Sequence, residues 1–176
     1  PCGTLFPYTT LFRSAKGQAT LSFVAEVAPG GTAKYELRNG GPAAKPAVTV
    51  SKEGGALILS NQMLAVKVPA PMEKAYAKPV AANTLPAPIT AFRGPDGKWR
   101  GAASILTKRA VKKLSIKQTA NGPVFVETLY RLDYAEGGYW EVRVRVTDRA
   151  PFAKVTEEYD LAGPKNQHYW QDRKST

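Results

Sequence analysis

The chain has 176 residues, of which 43% are hydrophobic, 22% charged and 10% aromatic, and its formal net charge is +11. This composition supplies a core for one domain or for parts of two, and it is too apolar and too aromatic for a disordered chain. No stretch approaches the ~20 apolar residues of a membrane-spanning helix, which excludes a membrane span. One cysteine and one histidine exclude a disulfide framework and argue against a zinc site.

Both ends of the chain resemble translated sequencing adapter. Residues 4–14, TLFPYTTLFRS, match one reading frame of a common short-read adapter codon by codon, and DRKST at 172–176 matches the adapter of the opposite end. We therefore expect residues 1–14 and 172–176 to be non-native and to contribute no packing that the fold requires. The remaining residues stay basic, and we expect them to be an internal piece of a longer protein.

The first native section, residues 15–53, is predicted to be the end of a small β-domain or an N-terminal β-layer. Apolar and polar residues alternate over 19–27, 33–37 and 48–50, which is the period-two pattern of half-buried strands. Turns rich in glycine and proline separate these short strands.

The second section, residues 54–171, opens with a predicted hairpin of two apolar strands, 56–60 and 63–68, with Asn61 suited to its turn. Five prolines between 69 and 88 predict mainly loop, with at most one helical turn near 72–78. Residues 102–114 fit either a helix or an irregular strand.

Three long alternating runs, 124–134, 139–147 and 152–161, end this section. The turns between them are short, so we predict consecutive antiparallel strands. Long strands in a meander indicate an all-β antiparallel sandwich. One face is expected to be apolar and buried, with the residues Tyr130, Leu132, Trp140, Val142, Val155 and Tyr159. The other face is expected to be charged, with the residues Arg131, Asp133, Glu141, Arg143, Arg145 and Glu158.

Basic residues are concentrated between Lys108 and Lys117 and again at Arg143 and Arg145. They suit contact with an acidic polysaccharide or a nucleic acid, but a solvated strand face with lysines guarding an edge is the favoured interpretation. The aromatic residues that single-strand nucleic-acid sites interleave with such charges are missing. The carboxylates of the meander are interpreted as partners of these arginines rather than as a glycosidase pair.

Two aromatic groups are candidate carbohydrate sites, because aromatic rings stack on the apolar faces of sugars. One is His168-Tyr169-Trp170, whose histidine can donate a hydrogen bond or act as an acid or base. The other is Trp99 with Arg100, after the turn at 95–97. For both groups, packing on the sheet is the alternative, and Trp140 is expected to be core. No catalytic residue, metal ligand set or cofactor motif is identified.

The sequence LSNQMLAV at 59–66 resembles the opening of galactose-mutarotase-like β-supersandwich domains, with Gln62 where the pattern usually has glycine. The similarity continues through PAPI at 86–89, GPDGKW at 94–99 and the long strands of the meander, and covers about 56–170. It implies the first part of a supersandwich over residues 54–171. Such domains occur in glycoside hydrolases, polysaccharide lyases and sugar epimerases, beside a separate catalytic domain.

The resemblance implies a fragment of a secreted or periplasmic carbohydrate-active protein that contacts a polysaccharide or oligosaccharide, acidic ones included. Catalysis would then lie outside the fragment, and no cofactor is expected. A non-catalytic surface or adhesion β-sandwich is the alternative, and a basic nucleic-acid-binding β-domain is the least favoured. A supersandwich cut part-way would leave a strand edge and an apolar face uncovered, so we also expect self-association.

Overall fold

The computed structural model describes residues 10–13, 19–23, 25, 27–35, 46–160 and 170–171. Nearly all of the regular structure in this part of the chain is β, with a single 3-10 turn at Ala82–Thr84. In chain order the strands are β1 (Thr10–Arg13), β2 (Ala19–Ser22), β3 (Thr49–Glu53), β4 (Ala56–Ser60), β5 (Ala65–Pro69), β6 (Met72–Ala81), β7 (Ala91–Arg93), β8 (Trp99–Arg100), β9 (Ser104–Ile105), β10 (Ala110–Asn121), β11 (Phe125–Tyr134), β12 (Tyr139–Thr147), β13 (Ala153–Asp160) and β14 (Trp170–Gln171).

Two antiparallel five-stranded sheets pack against each other, which confirms the predicted all-β sandwich. The short sheet has the order β3-β4-β5-β7-β8, and the long sheet has the order β13-β12-β11-β10-β6. Strands β1 and β2 pair with each other in a separate two-stranded sheet, and β14 pairs with β9 in another. The predicted hairpin at 56–68 is formed by β4 and β5.

The core lies between the inner faces of the two sheets. Period-two alternation directs Leu57 and Leu59 of β4 and Val66 and Val68 of β5 toward the long sheet, and all four are buried. The long sheet contributes Val111, Leu114, Ile116, Val126, Tyr130, Leu132, Tyr134, Trp140, Val142, Val144 and Val146. Burial of this apolar surface is the main favourable term in folding.

The central meander of the long sheet has the predicted antiparallel pairing and the predicted apolar face. Tyr130 lies opposite Val142, and Leu132 lies opposite Trp140. The Trp140 ring is fully buried and meets the Tyr130 ring edge-on, at 5.9 Å between centroids. The Tyr130 hydroxyl donates a hydrogen bond of 2.8 Å to the carbonyl of Pro86, so the buried phenol is satisfied.

The predicted loop between 69 and 88 is wrong over Met72–Ala81, which form the ten-residue strand β6. Its partner β10 has a register shift, with Val80 opposite Val111 but Ala75 opposite Lys113. Pro79 falls inside this irregularity on the outermost strand, where no ladder N–H is required. Prolines are therefore compatible with a strand here, and the predicted helical turn is absent from this segment.

The ambiguous stretch at 102–114 contains strands β9 and the beginning of β10, and no helix. The register of β10 against β11 also shifts between Val111 and Lys113. A bulge of this kind inserts extra residues into the alternation, which is why Lys112 and Lys113 interrupt the apolar pattern.

The predicted burial of the third meander strand is wrong. Strand β13 pairs with β12 as expected, but Val155 is 36% exposed and Tyr159 is 61% exposed. Of this strand, only Ala153 packs against the core. The reason is position: β13 is the outermost strand of the long sheet, so the opposing sheet does not cover its inner face.

The N-terminal section is only partly described. The predicted strand at 48–50 is confirmed, as β3, which pairs with β4 in the short sheet. The strand predicted over 19–27 ends at Ser22, and residues 33–35 are not in a strand. The rest of the strand predicted at 33–37 lies outside the described residues.

Candidate functional site

An aromatic ring flanked by two cations lies on the outer face of the short sheet. The Trp99 side chain is half-buried on the edge strand β8. The Lys67 ammonium lies 5.1 Å from its ring centroid, and the Arg93 guanidinium carbon lies 4.9 Å away. Lys67 also forms a 2.9 Å ion pair with Glu53. We call Glu53, Lys67, Arg93 and Trp99 the Trp99 patch.

Strand register brings these four residues together. Trp99 lies opposite Arg93, and Arg93 lies opposite Ala65. Residues directly opposite one another in an antiparallel pair point to the same face, so Trp99 and Arg93 share a face with Lys67, two residues beyond Ala65. The neighbouring residues Val66 and Val68 face the core instead, so the patch lies on the face of the short sheet that is turned away from the long sheet.

The turn between β7 and β8 is closed by an ion pair. Gly97 has a φ of 75°, a conformation that favours glycine, and its N–H donates to the Gly94 carbonyl. Both Asp96 oxygens accept hydrogen bonds from the Arg100 guanidinium, at 2.8 and 2.5 Å. These bonds lower the pKa of Asp96 to about 2. The turn residues predicted from the sequence therefore hold Trp99 in its register.

The structure places Trp99 and Arg100 on opposite faces of the short sheet. Neighbouring residues of a strand alternate between faces, and Arg100 lies opposite Phe92 rather than opposite Arg93. Arg100 is exposed and engaged with Asp96. Of the two predicted carbohydrate-binding residues on β8, Trp99 belongs to the Trp99 patch and Arg100 does not.

The second predicted aromatic group is only partly described. His168 and Tyr169 lie outside the described residues. Trp170 begins β14, and its backbone lies opposite Ile105 of β9. This pairing places Trp170 beside β9.

An open apolar cleft of about 360 Å³ lies where the inner faces of the two sheets continue beyond the core. Phe92, directly opposite the buried Val66, lines it from the short sheet, and Val155 lines it from β13. Phe152 and Met63 are also among the lining residues. The side chains of Phe92, Val155, Phe152 and Met63 are all substantially exposed. We call this cleft the apolar mouth.

The outer face of the long sheet is charged but balanced. By register it carries six cations and six carboxylates, which are Lys113, Lys117, Arg131, Arg143, Arg145, Lys154, Glu73, Glu127, Asp133, Glu141, Glu158 and Asp160. Glu141 accepts from Arg143 at 2.6 Å, as the sequence suggested, and Arg145 pairs with Glu127 at 2.7 Å. This face therefore offers no excess of positive charge to an anionic polymer.

Two buried charged groups have incomplete hydrogen bonding among the described residues. Both carboxylate oxygens of Asp148 are buried without a hydrogen-bond partner, and burial raises the pKa of this group. The Arg149 Nε lies 3.5 Å from its Oδ2. The Arg109 guanidinium also has no hydrogen-bond partner, and it stacks at 4.1 Å on the buried Tyr134 ring. Burial raises the pKa of Tyr134 to about 12.

Within the ranges that the structure describes, no group of three or more histidine, cysteine, aspartate or glutamate residues is arranged to hold a metal ion. No helix among the described residues is long and apolar enough to cross a membrane. Comparison with family models, curated proteins and solved structures found no match to this chain.

Sequence reasoning found Trp99 but missed its neighbours. Lys67 and Arg93 carry no local motif, and their distance from Trp99 along the chain hides the contact until the strand register is known. The apolar mouth was missed for the same reason. Its only local signal was the placement of Phe152 next to the proline of a turn.

Proposed function

We propose that this chain is a carbohydrate-contacting β-sandwich module of a secreted or periplasmic carbohydrate-active protein. The observation that carries the proposal is the Trp99 patch, in which a half-buried indole is flanked by two cations. In this proposal the sandwich binds sugar and supports a catalytic region that lies outside the described residues.

The chemistry of the Trp99 patch favours an acidic oligosaccharide. The indole offers an apolar surface to the C–H face of a sugar ring. Lys67 and Arg93 can pair with a sugar carboxylate, and the planar guanidinium suits a bidentate contact. Glu53, whose side chain is 59% exposed, can accept hydrogen bonds from sugar hydroxyls. A few polar groups placed around an apolar surface are typical of ligand sites.

The resemblance to galactose-mutarotase-like domains also supports the proposal. Its LSNQMLAV segment forms the β4–β5 hairpin, and the Asn61 side chain accepts hydrogen bonds from the N–H groups of Met63 and Leu64 at 2.8 and 2.9 Å. Its amide nitrogen donates to the carbonyls of Thr147 and Ala150 at 2.7 and 2.9 Å. Asn61 thus holds the hairpin and connects it to the other sheet. A fold likeness alone does not determine function, so the proposal depends on the Trp99 patch.

Titration calorimetry with an oligogalacturonate and a neutral oligosaccharide of similar length tests the proposal. We expect Trp99→Ala to weaken binding of the acidic ligand at least about tenfold, since it removes the stacking surface. Arg93→Gln should weaken binding of the acidic ligand and leave binding of the neutral ligand unchanged. Phe92→Ala is the matched control, because Phe92 is on the neighbouring strand of the same hairpin but faces the opposite side. Equal losses in the two aromatic variants, or no glycan binding by the unsubstituted chain, would overturn the proposal.

The apolar mouth favours a second candidate, a non-catalytic surface or adhesion module. Contiguous exposed apolar surface is typical of protein–protein contact sites. A nucleic-acid-binding role remains the least favoured, because the outer face of the long sheet is electrically balanced. A glycan array separates the first two candidates, since only the first requires sugar binding at the Trp99 patch.

A further inference from the structure

The two edges of the long sheet differ in how they are protected against pairing with another strand. The β6 edge contains Pro79, a register irregularity and the exposed residues Lys74 and Lys78. Prolines, bulges and lysines are devices by which natural sheets blunt an edge. The β6 edge is therefore unsuited to an additional strand.

The described β13 edge is less protected, since charged side chains such as Lys154 and the inward-facing Glu157 are its only such devices. Its eight residues contain no proline, and they pair with β12 without a register shift. From Lys154 to Asp160 the side chains are exposed. Phe152, directly before this strand, and Tyr159 on it are 64% and 61% exposed, and Val155 is 36% exposed. A long, regular and partly apolar edge favours pairing with a further strand.

We propose that β13 pairs with β13 of a second copy of this chain, in an antiparallel arrangement about a two-fold axis at Thr156. A two-fold interface must be self-complementary, and this register meets that condition. Lys154 of each copy lies opposite Glu158 of the other on the outer face, and Thr156 lies opposite its own equivalent. Ala153 lies opposite Tyr159 on the inner face.

Two registers neighbour this one. The register centred on Val155 places Lys154 opposite Thr156 and forms no pair of opposite charges. The register centred on Glu157 is disfavoured. It also keeps each residue on its proper face and places Lys154 opposite Asp160. However, it puts the two copies of Glu157 directly opposite each other, and like charges in that position destabilise a sheet. Shifting the axis to Glu158 creates the same conflict. The axis at Thr156 places no like charges directly opposite each other.

The dimer would be a continuous ten-stranded antiparallel sheet, since each long sheet has five strands. In the dimer, β13 of the second copy would also lie beside Val155 and Phe152 of the first copy, which line its apolar mouth. Pairing would cover part of the exposed apolar surface, and it would satisfy backbone groups of β13 that no described strand pairs.

Charge reversal tests the interface. Sedimentation velocity over a concentration series should show a monomer–dimer equilibrium for the unsubstituted chain. Lys154→Glu and Glu158→Lys should each weaken dimerisation at least about tenfold, because both interfacial pairs become like-charged. The double variant, which exchanges the two charges, should restore it. Circular dichroism and thermal unfolding establish that each variant is folded.

Cysteine cross-linking tests the register. In a chain with Cys2→Ser, Thr156→Cys should form an intermolecular disulfide, because opposed residues have Cα atoms about 4.5–5.5 Å apart. Lys98→Cys, exposed in the β7–β8 turn, is the control and should remain a thiol.

A chain that stays monomeric at every concentration overturns the proposal. A dimer that ignores both charge reversals, or that cross-links through Glu157→Cys rather than Thr156→Cys, also overturns it. Full protection of the β13 amides from hydrogen exchange in a monomer would place a segment of the same chain on this edge, which is equally incompatible with the dimer.

Discussion

Asp148 is a buried carboxylate whose ionisation opposes folding. Burial raises its pKa above the ordinary value of 3.8, so the folded state binds a proton more tightly than the unfolded state. The protonated Asp148 therefore contributes stability that is fully present below the pKa of the unfolded state. This contribution is lost as the pH rises through the pKa of the folded state. At neutral pH the buried charge is a net cost.

Replacing Asp148 with asparagine should therefore remove a pH-dependent part of the stability. We expect Asp148→Asn to be more stable than the unsubstituted chain at pH 7. The advantage should shrink as the pH is lowered toward 4. Urea unfolding at several pH values measures this difference. A variant that is less stable at neutral pH would show that Asp148 has a stabilising partner in solution.

The tryptophans are predicted to differ in their contribution to stability. Trp140 is fully buried in the core, so Trp140→Ala should cost about 3–5 kcal/mol of unfolding free energy. Trp99 is half-buried at a sheet edge, and Trp99→Ala should cost about 1 kcal/mol. Equilibrium unfolding of the two variants makes the comparison. Similar losses would mean that Trp99 is as structural as Trp140.

At the scale of elements, the local sequence pattern was sufficient to predict strand pairing where the turns are short. The order and register of β11, β12 and β13 were predictable, since strict alternation and tight turns leave few other arrangements. Strand β6 was missed, because its prolines are acceptable only on an edge, and edge position is a property of the whole sheet. The exposure of Val155 and Tyr159 was missed for the same reason. Alternation specifies which face a residue is on but not whether another layer covers it.

The hairpin of β4 and β5 depends on Asn61 more than its turn position alone suggests. One side chain accepts two hydrogen bonds within the turn and donates two to the end of the long sheet. Asn61→Ala should cost about 2–3 kcal/mol, because carbonyls and N–H groups in a partly buried place lose their partners. Gln62→Ala, at the neighbouring exposed position, should change stability by less than about 0.5 kcal/mol. Thermal unfolding of both variants provides the test.

At the scale of the whole molecule, the terminal residues are expected to be dispensable. Strand β1 lies in the adapter-like segment, and among the described strands it pairs with β2, outside both five-stranded sheets. Deleting residues 1–14 and 172–176 should change the free energy of unfolding by no more than about 0.5 kcal/mol. Denaturant titration of the shortened chain measures this change. A loss of several kcal/mol would show that these residues belong to the fold.

The candidate site shows where sequence reasoning stops. Composition and aromatic content directed attention to Trp99, but the patch also needs Lys67 and Arg93, which only the pairing of β5, β7 and β8 brings to one face. The excess of basic residues suggested an anionic partner, yet the long sheet neutralises its own arginines with Glu127 and Glu141. Such cancellation depends on cross-strand register and cannot be read from net charge.

The hydrogen bond between Asn61 and Thr147 spans 86 residues, and this separation has a kinetic consequence. Each sheet contains meanders that can form from neighbouring strands, whereas this bond requires both sheets to be in place. Loop-closure entropy delays contacts between distant parts of a chain. We therefore expect the bond to form after the transition state for folding, so that loss of the Asn61 side chain accelerates unfolding and leaves the folding rate almost unchanged.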